Sequence, residues 1–207
     1  MSVGLLNCDC MEYMKDMPDN HFDLACVDPP YGIDAANMEM GKGKNKKWSK
    51  KSWDTTPPSA DYFLEVIRVS KEQIIWGGNY FNLPLTGGWI FWDKDRKKDV
   101  SFSDGELAWT SFLNVIKKAT VRYDGFIGAD ENRIHPTQKP VRLYSWLLQN
   151  YAKPGQRILD THLGSGSSAI AAHYFGVDFV GCELDKDYYD AACKRFDKET
   201  RQIAFEF

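Results

Sequence analysis

The chain has 207 residues, 43% of them hydrophobic, and a formal net charge of −3 at pH 7, which is enough apolar content for one globular core but no bulk basic charge to draw it to nucleic acid. No segment reaches the roughly 18 consecutive apolar residues of a membrane span, and Met1 to Cys10 lacks a basic region followed by an apolar core, so a cytoplasmic protein with no membrane partner is expected. Cys8, Cys10, Cys26, Cys182 and Cys193 show no paired CxxC spacing, which fits a reducing compartment and predicts no metal site.

In chain order, Val3 to Asn7 reads as a short strand and Cys10 to Met17 as a helix. The apolar run from Phe22 to Val27 reads as a strand ending in Asp28-Pro29-Pro30-Tyr31. The two prolines fix φ and remove two N–H donors, so the carbonyls of Asp28 and Pro29 can point outward as acceptors beside a carboxylate and an aromatic face. An exocyclic amine would find two acceptors and a platform there, although Pro-Pro after a strand is also an ordinary turn signal. The stretch 41–51 then carries Lys42, Lys44, Lys46, Lys47, Lys50 and Lys51 around Trp48 and no acid. Such a loop can track phosphates and offer Trp48 and Trp53 for stacking; a solvated loop with no partner is the plain alternative.

A helix is predicted over Ala60 to Ser70, with strands near Gln73 to Trp76, Trp89 to Trp92, Leu107 to Thr110 and Asn114 to Ala119. His135-Pro136-Thr137-Gln138-Lys139-Pro140 forms a loop into a helix from Val141 to Tyr151, with Pro140 suited to the first turn. Strands near Gln156 to Asp160 and Asp178 to Glu183 flank a helix from Ser167 to Phe175, and a helix over Lys186 to Thr200 follows. Strands alternating with helices predict an α/β fold, a mostly parallel sheet with helices on both faces.

Between Asp160 and that Ser167 helix lies Thr161-His162-Leu163-Gly164-Ser165-Gly166-Ser167-Ser168, a glycine-rich turn that lets a ligand approach the backbone. The acid Glu183 at the next strand end suits paired ribose hydroxyls. No GxxxxGK[ST] segment is present and the third glycine of the dinucleotide pattern is missing, so a nucleoside without phosphates fits better. With these segments in order, the chain resembles the DNA amino-methyltransferases of the permuted β class, most closely the adenine-specific (N6) ones. Asp28 to Tyr31, Ile74 to Phe81 read as a strand segment, His135 to Pro140, and Asp160 to Ser168 with Glu183 carry the likeness.

The resemblance implies a Rossmann-like, S-adenosylmethionine-dependent fold with a circularly permuted sheet. Residues 1–207 are then one domain, with a catalytic half (1–134), a short candidate recognition region (94–133) and a cofactor-binding half (135–207). The cofactor half lacks a third strand of its own, and Val3 to Asn7 is the candidate, which puts Asp9 and Cys10 beside the adenine ring of the cofactor. In the family an acid here contacts that ring; Asp9 as a simple helix cap is the other reading. The family also implies that the 135–140 segment holds the methionine end, where Thr137 and Lys139 could meet its carboxylate and His135 serves as a loop hydrogen-bonder. The expected cofactor set is Asp9, Cys10, Asp28, His135, Thr137, Lys139, Asp160, Thr161, His162, Gly164, Ser165, Gly166, Ser167, Ser168, Glu183 and Leu184. The family usually has an aromatic where this chain has His162, read here as a polar wall in preference to a base.

The catalytic expectation rests on Asp28, Pro29, Pro30 and Tyr31: acceptors that take both amine hydrogens and a ring that stacks on a flipped-out base. The expected reaction is methylation of adenine N6 in DNA, at a fixed site or with relaxed specificity. Two alternatives are methylation of cytosine's exocyclic amine, since the same chemistry serves both bases, and a non-catalytic, cofactor-dependent nucleic-acid binding module; the family's cytosine enzymes more often have serine where this chain has Asp28, which favours adenine. A homodimer is compatible with the aromatic content, and a cognate restriction nuclease is compatible with the family.

Overall fold

Along strand β2 (Phe22–Val27) and its neighbours both side-chain faces are apolar, which is the pattern of strands covered on both sides. The computed structural model describes residues 1–34, 53–96, 103–123 and 133–201. Its remaining strands are β1 (Val3–Leu6), β3 (Ser70–Trp76), β4 (Trp89–Asp93), β5 (Gly105–Thr110), β6 (Ile116–Thr120), β7 (Arg157–Asp160) and β8 (Asp178–Cys182). The helices are α1 (Cys10–Lys15), α2 (Ala60–Val69), α3 (Val141–Tyr151), α4 (Ser167–Phe175) and α5 (Lys186–Thr200).

The period of two sorts the residues into two cores. Leu24, Cys26, Ile74, Trp76, Ile90, Trp92, Ala108 and Ile158 meet α3, α4 and α5 through Leu143, Leu147, Ala169, Ala172 and Ala192. Their strand neighbours Ala25, Val27, Ile75, Trp109 and Leu159 meet α1 and α2 through Met14, Tyr62, Phe63, Val66 and Val69. Helices therefore cover both faces, as expected.

The eight strands form one sheet in the order β1-β8-β7-β2-β3-β5-β4-β6. Pairing is parallel from β1 through β3, with Val3 opposite Phe179 and Leu24 opposite Ile158. Only β5 runs against its neighbours among the described strands, opposing Ile75 to Trp109 on one side and Ile90 to Ala108 on the other. The N-terminal strand thus completes the cofactor half beside β8, the permuted arrangement. The interval 94–133 supplies β5 and β6, so sheet occupies much of what a recognition region would use.

Several boundaries differ from the sequence reading by one to three residues. Strand β3 begins at Ser70, three residues early, because the Ser70 hydroxyl turns back to the Val66 carbonyl (2.5 Å) and ends α2 there. The strand ends at Trp76 as expected, and the rest of the segment Ile74 to Phe81 is not strand: Gly77 takes φ +69° and a 3₁₀ turn follows over Gly78–Tyr80. A Cβ on Gly77 would lie 2.2 Å from the Tyr31 ring. Gly77→Ala is expected to destabilise the fold by about 1–3 kcal/mol and displace Tyr31, which urea unfolding and tyrosine fluorescence would detect.

Candidate active site

The parallel strands β1, β8, β7 and β2 end on one edge of the sheet, and the residues just beyond them meet in a cleft of about 1,220 Å³. This is where open α/β sheets hold ligands. Cys8, Asp9 and Cys10 follow β1, Asp28 and Pro30 follow β2, Thr161 to Ser165 follow β7, and Glu183, Leu184 and Asp185 follow β8. His135, Thr137, Gln138 and Lys139 enter from the loop before α3, and Trp53, Ser59 and Tyr62 from the segment leading into α2.

The glycine-rich loop is held from beneath and from both sides. Asp160 is 1% exposed, accepts from the His162 N–H (3.0 Å) and the Ser168 hydroxyl (2.5 Å), and burial pushes its carboxyl up to about 7. Gly164 (φ +52°) donates its N–H to Glu183 Oε2 at 2.8 Å, and Gly166 (φ +75°) opens α4. From α5, the Arg195 guanidinium donates to the Ser165 carbonyl (2.9 Å) and the Ser167 hydroxyl (2.8 Å). Thr161 bonds Tyr62 Oη at 2.6 Å and His162 Nδ1 at 3.0 Å. Burial drives His162 down to about 4, so the ring is neutral near pH 7 and is a weak proton acceptor there.

The chemistry of the lining suits a cationic nucleoside better than a phosphorylated one. Asp9, Asp28, Asp34, Glu183 and Asp185 face the cleft, whereas Lys139 is the one Lys or Arg among the described lining residues, and its charge is already paired. A sulfonium is attracted by such a wall and a phosphate is repelled by it. Asp9 fulfils the cap reading, accepting from the Met11 N–H at 2.7 Å, and lines the cleft as well. Cys10 is pushed up to about 12, chiefly by burial and by Asp9, so it stays a neutral thiol. Cys10, Thr137, Ser167 and Leu184 line the cleft, whereas Asp160, Gly166, Ser168, Pro29 and Tyr31 are not among its lining residues.

At the opposite corner Asp28 is the centre of a buried charge cluster. Its Oδ1 accepts from Lys139 Nζ at 2.6 Å and from Tyr31 Oη at 2.8 Å. Lys139 is also 3.0 Å from Glu106 Oε2, and Lys94 is 2.6 Å from Glu106 Oε1. Burial raises the Asp28 carboxyl, whereas Glu106, though buried, is held down at about 2 by the two ammonium groups. Burial opposes the charge on Lys139, yet Asp28 and Glu106 outweigh it and keep the ammonium protonated. Lys139 therefore points at Asp28 and Glu106 instead of standing ready for a ligand carboxylate, which leaves Thr137 as the group of that pair not bound to an acid. The Tyr31 ring packs between Gly77 and the half-exposed Tyr80, which is stacked on it at 5.0 Å.

Reading the sequence missed Glu106, Lys94, Tyr62, Tyr144 and Tyr188. Glu106 did leave a signal, an acid inside the otherwise uncharged strand Gly105–Thr110. Tyr62 left none, since an aromatic on an amphipathic helix reads as core. Lys42, Lys44, Lys46, Lys47, Trp48, Lys50 and Lys51 lie outside the described residues.

A permuted Rossmann-like sheet, a glycine-rich loop faced by an acid, and a DPPY turn opening on the same cleft define an S-adenosylmethionine-dependent methyltransferase. The chain belongs to the DNA methylase family, whose N6/N4 type it matches over residues 43–194, and it is a DNA methyltransferase. It is similar to the type II methyltransferase M2.DpnII of Streptococcus pneumoniae, with 22% identity over 94% of this chain and 90% of that protein. Its fold is like that of M1.HpyAVI in complex with S-adenosylmethionine, with TM-score 0.60 and 16% identity over 95% of this chain and 100% of that one. The cytosine-N4-specific PvuII DNA methyltransferase shares the fold too, with TM-score 0.60 and 12% identity over 97% and 91% of the two chains. Among the described residues no helix is long and apolar enough to cross a membrane.

Proposed function

We propose that the protein methylates the exocyclic N6 of an adenine flipped out of DNA. The observation that carries this reading is Asp28, a buried carboxylate at the end of β2 that opens on the same cleft as the glycine-rich loop. When bound, S-adenosylmethionine supplies an electrophilic sulfonium methyl group. The residues suited to hold it are Asp9, Cys10, Glu183 and Leu184 at the adenosine end, the loop 161–168 above Asp160, and Thr137 and His135 at the amino-acid end. Asp28 and the Pro29 carbonyl take the two amine hydrogens and turn the nitrogen lone pair out of conjugation, while the proton lost after transfer passes to solvent. Tyr31 is the aromatic platform for the flipped base, and the base takes the face that Tyr80 now covers, so Tyr80 moves aside when DNA binds. The same geometry serves cytosine's exocyclic amine; an acid at position 28 favours adenine, by the resemblance noted above.

Purified protein incubated with unmethylated duplex DNA and labelled S-adenosylmethionine, followed by nucleoside mass spectrometry, tests this. N6-methyladenine is the expected product; N4-methylcytosine would overturn the base assignment.

The lysines of 41–51 are the proposed phosphate-tracking element. Lys46→Glu with Lys47→Glu should weaken DNA binding and lower the slope of log K against log salt by about 2. An unchanged slope in a salt titration would remove them from the interface. A homodimer and a cytoplasmic, nuclease-paired modification role fit the reading, and sedimentation of the enzyme tests the first.

A further inference from the structure

We infer that Glu106 is a positioning residue that takes over the donors now held by Asp28, so that Asp28 can turn to the target amine. The inference rests on the reading of Asp28 as the amine's acceptor. Asp28 Oδ1 already accepts from both the Tyr31 hydroxyl and the Lys139 ammonium, at 2.8 and 2.6 Å. Both donors sit on the one oxygen Oδ1 and compete there with an incoming amine, and a donor that leaves it in this partly buried site needs another acceptor. Glu106 Oε2 is within reach of both donors, 3.4 Å from Tyr31 Oη and 3.0 Å from Lys139 Nζ.

The two donors differ in a way that defines the switch. The ammonium has three protons and bonds both carboxylates at once, whereas the tyrosine hydroxyl has one proton and serves a single acceptor at a time. Rotation of that hydroxyl from Asp28 to Glu106 is therefore the step that opens Asp28. Glu106 is held ready for it: its other oxygen is clamped at 2.6 Å by Lys94, whose ammonium sits 4.9 Å from the centre of the Trp92 ring. Lys94 directly follows β4 and Glu106 lies on the antiparallel strand β5, so the far strands of the sheet reach the reaction centre through this pair.

Glu106→Gln tests the idea, because its single amide oxygen can occupy only one of the two carboxylate oxygen positions, the one facing Lys94 or the one facing the hydroxyl. The single-turnover rate should fall at least tenfold, with dissociation constants for S-adenosylmethionine and duplex DNA within twofold of the wild type. The loss should shrink in a Tyr31→Phe background, where no hydroxyl is left to trap Asp28. An unaltered rate, an equal loss in both backgrounds, or a rate loss accompanied by weakened cofactor binding would overturn it. If Glu106→Gln does not fold, the pair Glu106→Leu with Lys94→Met, which restores the balance of charge and leaves no acceptor at position 106, carries the same comparison. Asp28→Ala run in parallel separates the two levels: turnover retained there would remove the amine-acceptor reading, whatever Glu106 does.

Discussion

Asp28→Ala is expected to lower the methyl-transfer rate by about 10²–10³-fold, the usual cost of losing a preorganised polar group at a reacting centre, while cofactor affinity stays nearly unchanged. The separation follows from position. The groups suited to the adenosine end gather around Gly164, Glu183 and Asp9, beyond β1, β7 and β8, whereas Asp28 ends β2. Asp28→Asn keeps the shape and one carbonyl acceptor, so its rate should fall between those of the wild type and the alanine variant. Rapid-quench transfer assays beside calorimetric cofactor titration check both statements. Loss of affinity with residual turnover would contradict the assignment.

Lys139→Met should be the most destabilising single change at the site, at about 3–5 kcal/mol, because it leaves two largely buried carboxylates, 17% and 24% exposed, without their shared cation. The lysine side chain is 4% exposed, so water cannot replace it without opening the site. The pH dependence gives a second signature. Glu106 is held at about 2, below its ordinary value, so its pairing contributes stability that is present above about pH 4.5 and is lost as pH falls toward 2. In the methionine variant that carboxyl keeps only Lys94 and gains less from ionising, and acid relieves the repulsion with Asp28. Urea unfolding at neutral and acid pH should thus show the wild-type advantage narrowing as pH drops; a constant gap would show that the ion pairs are not its source.

Most of the sheet was legible because strands buried on both faces read as continuous apolar runs, as Leu24 to Val27 and Ile74 to Trp76 do. The place of β1 followed from need, since a cofactor half with two strands of its own requires a third. The order at the far edge was not legible: nothing local in β4, β5 or β6 states that β5 inserts between β3 and β4 in the opposite direction. The same gap hid half of the charge cluster. Asp28 and Lys139 could be named from motifs, but their meeting with Glu106 and Lys94 depends on that insertion. Local chemistry placed Lys139 in the cleft and tertiary pairing chose its partner.

The turn after Tyr31 is tied to a distant acid. Asp54, 1% exposed, accepts the Gly32 N–H through Oδ1 at 2.9 Å and the Asp34 N–H through its carbonyl at 2.8 Å. These bonds join the two ends of segment 35–52 like the base of a stem. Closing a chain across such a base costs only about 0.6 kcal/mol more for each doubling of its length. The fold can therefore accept segments of different length or charge between residues 34 and 54 while Asp28 and Tyr31 stay in register. The DNA contacts proposed for this segment could then be exchanged, by natural variation or by grafting, without rebuilding the chemistry beside it.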